Sequence, residues 1–534
     1  MGNLKVLVLD NLHEAGIEVF NQEGIEIDIK GNLAPEELAS IIDHYDGIAL
    51  RGATKVNAKV FNNISRLKVI GRAGSGTDNI DTKSATKSGV VVMNTPGGNT
   101  ITTGEHAIAL MFALARQVPQ ASASMKDGKW EKKKFIGTEL TDKVLGIVGI
   151  GNIGKIVAER ALGLKMVVLG YDPYVSKEDL LKLGIEPASL DEIYNRADFI
   201  TYHTPLTPET KEMINAQTIA KMKKGVFIIN CARGALVNEH DLLNALESEH
   251  IKGVALDVFP VEPPPLNASL YKHPNVILTP HLGASTNEAQ KKVAVLIAEQ
   301  ISDLLKKGII RNSINFPSVA AELLPILQPY LSLCEKLGSF LGQLLENPLN
   351  ELRVEFLGEA SNLTIEPLTI SVLKGILQHQ TEEVNLVNAR MIAEERGIKI
   401  TETKSKKAEN YTSLIRVVTI TEKGKTSVSG TIFGKISKII KINLFPIEAE
   451  LSGGMLMLEN QDFPGVVGRV GTFLGEKNIN IAGFQLGRKE LGGIAISLIN
   501  VDNSVPDDVL TQLANLPHIT SAKYLRFYDN SPGN

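Results

Sequence analysis

The sequence predicts an α/β chain in which two doubly wound parallel sheets are followed by an α+β stretch and a small ferredoxin-like module. Three observations carry this. Short β-rich runs alternate with helical patterns between residues 6 and 279, a glycine-rich turn at Gly149, Gly151 and Gly154 separates an apolar run from a helical one, and residues 455–528 read strand, helix, strand, strand, helix, strand.

In chain order, apolar runs at 6–9, 47–50, 69–71 and 90–93 alternate with helical patterns, the rhythm of a parallel sheet. One long helix is expected over 102–125. A second series begins at Val144 and continues at 167–171, 199–203, 226–230, 254–257 and 276–279, before another long helix over 287–307. Pro317, Pro325 and Pro329 follow, which are not expected to continue a regular element, so a boundary is placed near Phe316. Residues 318–450 mix helical patterns with β-rich runs such as 414–421, around a polar segment at 401–411. In the last part, strands at 455–459, 479–486, 493–500 and 519–527 enclose helices near 466–477 and 507–516.

A chain of 534 residues exceeds what one core organises, roughly 250 to 300 residues, so three or four domains are expected. Hydrophobic residues at 43% and charged residues at 22% exclude a disordered or fibrous class. The net charge is −4 and the densest basic run, Lys132, Lys133 and Lys134, is too short to track a nucleic-acid backbone. Two cysteines, Cys231 and Cys334, lack metal-like spacing, so neither a disulfide framework nor a metal is expected. The opening MGNLKVLVLD runs into a strand without signal-peptide character, and the apolar stretch 107–115 is far short of the roughly 20 residues a membrane span needs. A cytoplasmic enzyme without membrane or nucleic-acid partners is expected.

The glycine turn has the setting that makes such a motif specific, with an apolar strand at 144–148 before it and a helix from Lys155 after it. Gly149 allows the tight turn, Gly151 lets a pyrophosphate approach the backbone, and Gly154 lets helix and strand pack closely. Helix amides then face the anion. Asp172 arrives 18 residues after Gly154, at the end of the next strand, where a carboxylate accepts hydrogen bonds from ribose hydroxyls. It would repel a 2′-phosphate, and Pro173, Tyr174 and Val175 supply no cation, so NAD is favoured over NADP.

Three polar residues follow later strands of the same series: Arg233, Glu262 and His281. Oxidation of a secondary alcohol needs a base for the hydroxyl proton while hydride leaves carbon, and histidine titrates near neutrality. His281 is read as that base, Glu262 as the carboxylate that orients and charges it, and Arg233 as the guanidinium that holds a substrate carboxylate and polarises the carbonyl.

These segments, with the runs 72–81 (RAGSGTDNID), 94–99 (NTPGGN) and 203–206 (HTPL), resemble the D-2-hydroxyacid dehydrogenase family over nearly the whole chain, in its long, phosphoglycerate-oxidising form. The resemblance implies NAD-linked oxidation of 3-phospho-D-glycerate, the entry to L-serine synthesis. It carries cofactor contacts onto Ser75, Asn152, Ile153, Asp172, Thr204, Cys231, Ala232, Arg233, Asp257, His281, Gly283 and Ala284, with Asp257 meeting the nicotinamide amide. It also implies a discontinuous substrate domain (1–98 and 285–316), a Rossmann NAD domain (99–284), an intervening domain (317–450) and an ACT domain (453–528). The NAD site would then lie in a cleft that closes over the substrate.

Ser75, Gly76, Asn99, Arg233 and His281 would meet the substrate, and its phosphate needs further cations, for which Arg51 is the first candidate and Lys132–Lys134 the second. The terminal module, with Asn460, Asp462 and Asn480, resembles an effector-binding ACT domain that in related dehydrogenases binds L-serine between subunits. The segment 384–390 (VNLVNAR) resembles the intervening domain of some long-form enzymes, which implies assembly beyond a dimer, and a homodimer or homotetramer is expected. A glyoxylate or hydroxypyruvate reductase and an NADH-sensing corepressor are the alternatives on the same scaffold.

Overall fold

The computed structural model describes residues 3–62, 64–318, 323–381, 384–434 and 436–527. Its first sheet comprises β1 (Lys5–Val8), β2 (Glu26–Ile29), β3 (Gly47–Leu50), β4 (Val69–Arg72) and β5 (Val91–Met93), all parallel in the order β2-β1-β3-β4-β5. The second comprises β6 (Val144–Val148), β7 (Val167–Tyr171), β8 (Glu186–Pro187), β9 (Phe199–Tyr202), β10 (Val226–Asn230), β11 (Ile251–Leu256) and β12 (Val276–Leu278). It is also parallel, in the order β12-β11-β10-β9-β6-β7-β8. Central strands such as β3, β9 and β10 are buried along their whole length and apolar on both faces, as a sheet covered by helices on both sides requires. Strand order reverses between β6 and β9, and ligands bind at such a switch point, beyond the carboxyl ends of the strands.

The chain passes between these sheets twice. The helix Thr100–Arg116 lays Ala107, Leu110, Met111 and Leu114 on the second sheet, whereas the helix Asn287–Lys307 returns to the first with Val293, Ala294, Ile297 and Ile301. Gly71 on β4 admits that helix: a Cβ there would lie 2.6 Å from the Ile297 and Ile301 side chains.

A third sheet holds β13 (Glu351–Gly358), β14 (Lys399–Ser405), β15 (Ser413–Thr421), β16 (Gly424–Phe433), β17 (Ile436–Ile442) and β18 (Phe445–Glu450) in the order β14-β13-β15-β16-β17-β18, with only β13 and β14 parallel. The helices Leu324–Leu344 and Ile365–Leu377 pack against each other through glycines, since a Cβ on Gly338 or Gly375 would lie 2.2 Å from a backbone oxygen of the other helix. The last sheet, β19 (Gly453–Gln461), β20 (Ile481–Arg488), β21 (Ile494–Val501) and β22 (Ile519–Phe527), is antiparallel in the order β20-β21-β19-β22 and carries the helices Val466–Glu476 and Asp507–Ala514. Tyr528, the last residue expected in this module, lies outside the described residues.

Two expectations are corrected, and two strands that the sequence did not announce are added. The helix expected over 102–125 is two helices, Thr100–Arg116 and Val118–Lys126, because Gln117 turns left-handed at φ 50° and Pro119 cannot extend the first ladder. The helix Leu324–Leu344, in contrast, tolerates both prolines: Pro325 sits in its first turn, where amides have no partner anyway, and Pro329 costs one ladder bond while Leu333, Cys334, Leu337 and Phe340 bury the same helix. Strands β2 and β8 escape an apolar reading because β2 exposes both its ends and β8 has two residues.

Candidate active site

At the carboxyl end of β6 the chain turns through Gly149, whose φ is 95° and whose Cβ position lies 2.6 Å from the His203 carbonyl oxygen. A side chain on Gly154 would come within 2.1 Å of the Gly149 oxygen, so this glycine is required by packing. Gly151 differs: nothing lies within 4 Å of its Cβ position. It begins the helix Asn152–Gly163 without a side-chain cap, leaving first-turn amides to face an anion. Asp172 borders the turn, its Oδ2 accepting from the Ile150 amide at 2.8 Å and its Oδ1 from the Tyr174 amide at 2.9 Å.

Opposite, His203 and Thr204 follow β9. Burial pushes the His203 pKa down to about 4, so the ring is neutral at pH 7, with Nε2 2.9 Å from Thr201 Oγ1. His203 Nδ1 and Thr204 Oγ1 are buried without partners. Open space over Gly151 and unpartnered polar atoms across from it fit a dinucleotide.

His281 follows β12 in the left-handed region, at φ 54°. Its Nδ1 lies 2.8 Å from Glu262 Oε2, so Nε2 is left to exchange a proton in the cleft. Burial pushes the Glu262 carboxyl upward, but the His281 bond and the Phe259 amide, which donates to Oε1 at 3.1 Å, hold it below the ordinary carboxylate range. The His281 backbone is pinned by Asp257, which is wholly buried at the end of β11. Its carboxylate accepts from the Leu282 amide (2.7 Å), the Gly283 amide (2.9 Å) and Thr279 Oγ1 (2.6 Å), and His106 Nε2 lies 3.1 Å away. Burial raises the Asp257 pKa, and these donors together bring it below the ordinary value.

Cys231, His106 and Asp257 place donor atoms within 4.8 Å of one another, a set a soft cation could take, although the Asp257 oxygens are already engaged by protein donors. Arg233 is presented by a turn tied through buried Asn230, whose Nδ2 donates to the Arg233 carbonyl at 2.8 Å and whose Oδ1 accepts from the Ala232 amide at 3.0 Å. Its guanidinium donates to the Ala232 carbonyl through Nη1 and approaches Asp78 Oδ2 through Nε at 2.9 Å.

A cleft of about 270 Å³ joins these elements. Ser75, Gly76 and Asn99 line it from the first-sheet side, and Ile153, Thr204, Cys231 and Ala232 from the second. Arg233, Asp257, His281, Gly283 and Ala284 complete the expected set in its wall, while Gly149, Gly151, Asn152, Gly154 and Asp172 form the neighbouring turn and Glu262 stands behind His281. Ser75 is held by Asn99, whose Oδ1 accepts its hydroxyl at 2.7 Å, and by the Asn94 amide on its carbonyl.

Arg51 does not line the cleft; its amide donates to Asp10 Oδ2 and its carbonyl accepts from Asn79. Neither do Lys132–Lys134, which form an exposed 3₁₀ turn. The cation the sequence reading missed is Arg72, at the end of β4. Burial, with Arg233 close by, pushes its pKa down to about 10, and its Nε has no partner. The available signal was its place at a strand end directly before the Gly74-Ser75-Gly76 turn.

In the terminal module the three expected effector residues are paired internally. Asn460 is buried, its Oδ1 accepting from Ser497 Oγ at 3.1 Å; Asp462 binds Arg488 at 2.8 Å, and Asn480 donates to Asp502 at 2.6 Å. The Arg488 bond keeps the Asp462 pKa below the ordinary value.

Known proteins resemble this chain in its domains and over its length. Residues 108–283 match the NAD binding domain of D-isomer specific 2-hydroxyacid dehydrogenases, 326–443 the D-3-phosphoglycerate dehydrogenase intervening domain, and 454–518 the ACT domain. A D-3-phosphoglycerate dehydrogenase of Synechocystis sp. is 44% identical over 97% of this chain and 94% of its own, and one of Archaeoglobus fulgidus is 41% identical over 98% and 100%. Among solved structures, a glyoxylate reductase from Paecilomyes thermophila superposes with a TM-score of 0.54 at 28% identity, covering 59% of this chain and 99% of that one. Fold and cleft thus define an NAD-dependent oxidoreductase of the D-isomer-specific 2-hydroxyacid class. Within that class, the identity over almost the full length and the two additional domains decide the matter: the chain belongs to the D-3-phosphoglycerate dehydrogenase family.

Proposed function

We propose that the enzyme oxidises 3-phospho-D-glycerate to 3-phosphooxypyruvate in the cytoplasm, as the entry to L-serine synthesis. The observation that carries this is the His281–Glu262 pair at 2.8 Å, set in one cleft with Arg233 and the Ser75-Gly76 turn. Arg233 and the Ser75-Gly76 amides take the substrate carboxylate, and His281 Nε2 accepts the proton of the C2 hydroxyl as the carbonyl forms. Glu262 stabilises the imidazolium that results. NAD, when bound, accepts the hydride from C2. The Gly149–Gly154 turn takes its pyrophosphate, Asp172 the ribose hydroxyls and Asp257 the nicotinamide amide. Arg72, in the cleft wall, supplies a cation for the phosphate, with Arg51 near enough for its charge to act on Arg72.

The cleft is formed by two units, 1–98 with 285–316 and 99–284, to which an intervening domain (317–450) and an ACT domain (453–528) are joined. Among the described residues no helix is long and apolar enough to cross a membrane. A homodimer or homotetramer is the assembly proposed, and the exposed side chains of Trp130 and Ile136, 81% and 75% accessible, are available to a second copy. L-serine is the effector proposed for the ACT domain, at Asn460, Asp462 and Asn480.

NADH formation with 3-phosphoglycerate against unphosphorylated D-glycerate tests the substrate. Turnover of the phosphorylated acid at a kcat/KM at least about a hundredfold higher is expected, as a lost charge-assisted contact set predicts. Equal rates would point to a general 2-keto acid reductase, and absence of turnover with either acid to a corepressor.

A further inference from the structure

Arg233 reaches into the cleft with a carboxylate already upon it. Asp78 Oδ2 stands 2.9 Å from its Nε, at side-chain exposures of 65% for Asp78 and 33% for Arg233, and both residues line the cleft. The contact is an ion pair without hydrogen-bond alignment, for the Nε–H finds no partner. Among the described residues the Asp78 side chain has no other hydrogen bond or ion pair.

Its surroundings are cationic. Arg72 is enclosed beside it, and the charges of Arg233 and Arg51 both disfavour the charged Arg72, while Asp78 offsets them more than Asp10 does. A carboxylate at the mouth of a cleft otherwise suited to a multiply anionic ligand opposes that ligand's entry, because like charges there repel and Arg233 must be released before it can bind. The same carboxylate, set on the guanidinium at 2.9 Å, occupies the place a ligand carboxylate would take.

We propose that Asp78 is a stand-in for the substrate carboxylate: it holds Arg233 until substrate binds, is displaced by the substrate, and thereby sets the threshold of affinity for anionic ligands. Asp78 is a specificity-determining residue in this scheme and takes no part in the proton or hydride step. The inference rests on the reading of Arg233 as the carboxylate contact.

Most substitutions in a binding cleft weaken binding; here the opposite sign is expected. In the full-length enzyme at saturating NAD, Asp78→Asn lowers KM for 3-phosphoglycerate by about three- to tenfold, the scale of a partly exposed ion pair plus a removed repulsion. Malonate, a dicarboxylate that cannot be oxidised, inhibits this variant at correspondingly lower concentration, and NAD affinity is unchanged. Should Asp78→Asn not fold, Asp78→Ser carries the same expectation. A KM equal to or above the wild-type value, with malonate no tighter, overturns the proposal. Arg233→Ala separates the two levels: if it leaves KM unchanged, the carboxylate reading itself fails, whereas a raised KM in Arg233→Ala without the drop in Asp78→Asn refutes only the role of Asp78.

Discussion

The cleft and the terminal module were both marked in the sequence by polar residues in loops, yet their polar groups stand in opposite conditions. In the cleft, His203 Nδ1, Thr204 Oγ1 and Arg72 Nε are buried without partners, and Gly151 opens onto empty space. In the module, Asn460, Asp462 and Asn480 each already bind a neighbour in the same chain. Burying a polar group unpaired costs about 1 to 3 kcal/mol, so the cleft is a surface completed by a ligand, while the module alone is a finished surface. An effector there must exchange existing bonds or meet the module where a second subunit adds groups.

The sharpest break of this contrast is His281→Ala. It is expected to lower kcat by two to four powers of ten while NAD affinity, followed by quenching of protein fluorescence, stays within about threefold. Loss of NAD binding would show the ring to be structural.

The glycines sharpen it next. Gly154→Ala puts a methyl group into the Gly149 oxygen and is expected to cost about 1 to 3 kcal/mol in urea unfolding. Gly151→Ala meets no atom, so stability is unchanged within about 0.5 kcal/mol, while NAD affinity falls at least about tenfold because the methyl group enters the pyrophosphate path. Equal stability losses in both would remove the argument that Gly151 is kept for a ligand.

The smallest effect belongs to the module. Asp462→Ala breaks a partly exposed pair with Arg488 and is expected to leave stability almost unchanged. Inhibition by L-serine, read in the same turnover assay, should weaken by about tenfold or more; an unchanged response would move the effector elsewhere.

How much of this was legible follows from where each signal resides. Gly149, Gly151 and Gly154 carry their geometry within six residues, and Arg233, Glu262 and His281 each follow a strand end, so period and position revealed them without tertiary knowledge. Arg72 was passed over because its meaning is burial, which a strand-terminal arginine does not announce. Arg51, the first candidate for the phosphate, presents its backbone to Asp10, while Arg72 faces the cleft. Asp257 was read as a cofactor contact, yet its grip on the Leu282 and Gly283 amides, which fixes the left-handed His281, depends on two strands that only the sheet order brings side by side. The helix expected through Gln117 failed to Pro119, a local signal outweighed in the reading by the apolar period around it.

One contact between distant parts of the chain bears on how far the molecule can be divided. Val387 enters the core of the first sheet, and Asn385 donates to the Gly89 carbonyl at 3.1 Å while Asn388 reaches the Lys87 carbonyl at 3.5 Å, at the end of the helix Thr82–Lys87. A chain ending at residue 318 would therefore leave an apolar socket and the carbonyls of a helix end open to water. Here the first sheet has been finished with a piece of the intervening domain, and anyone trimming the chain to its first two sheets must first fill that socket.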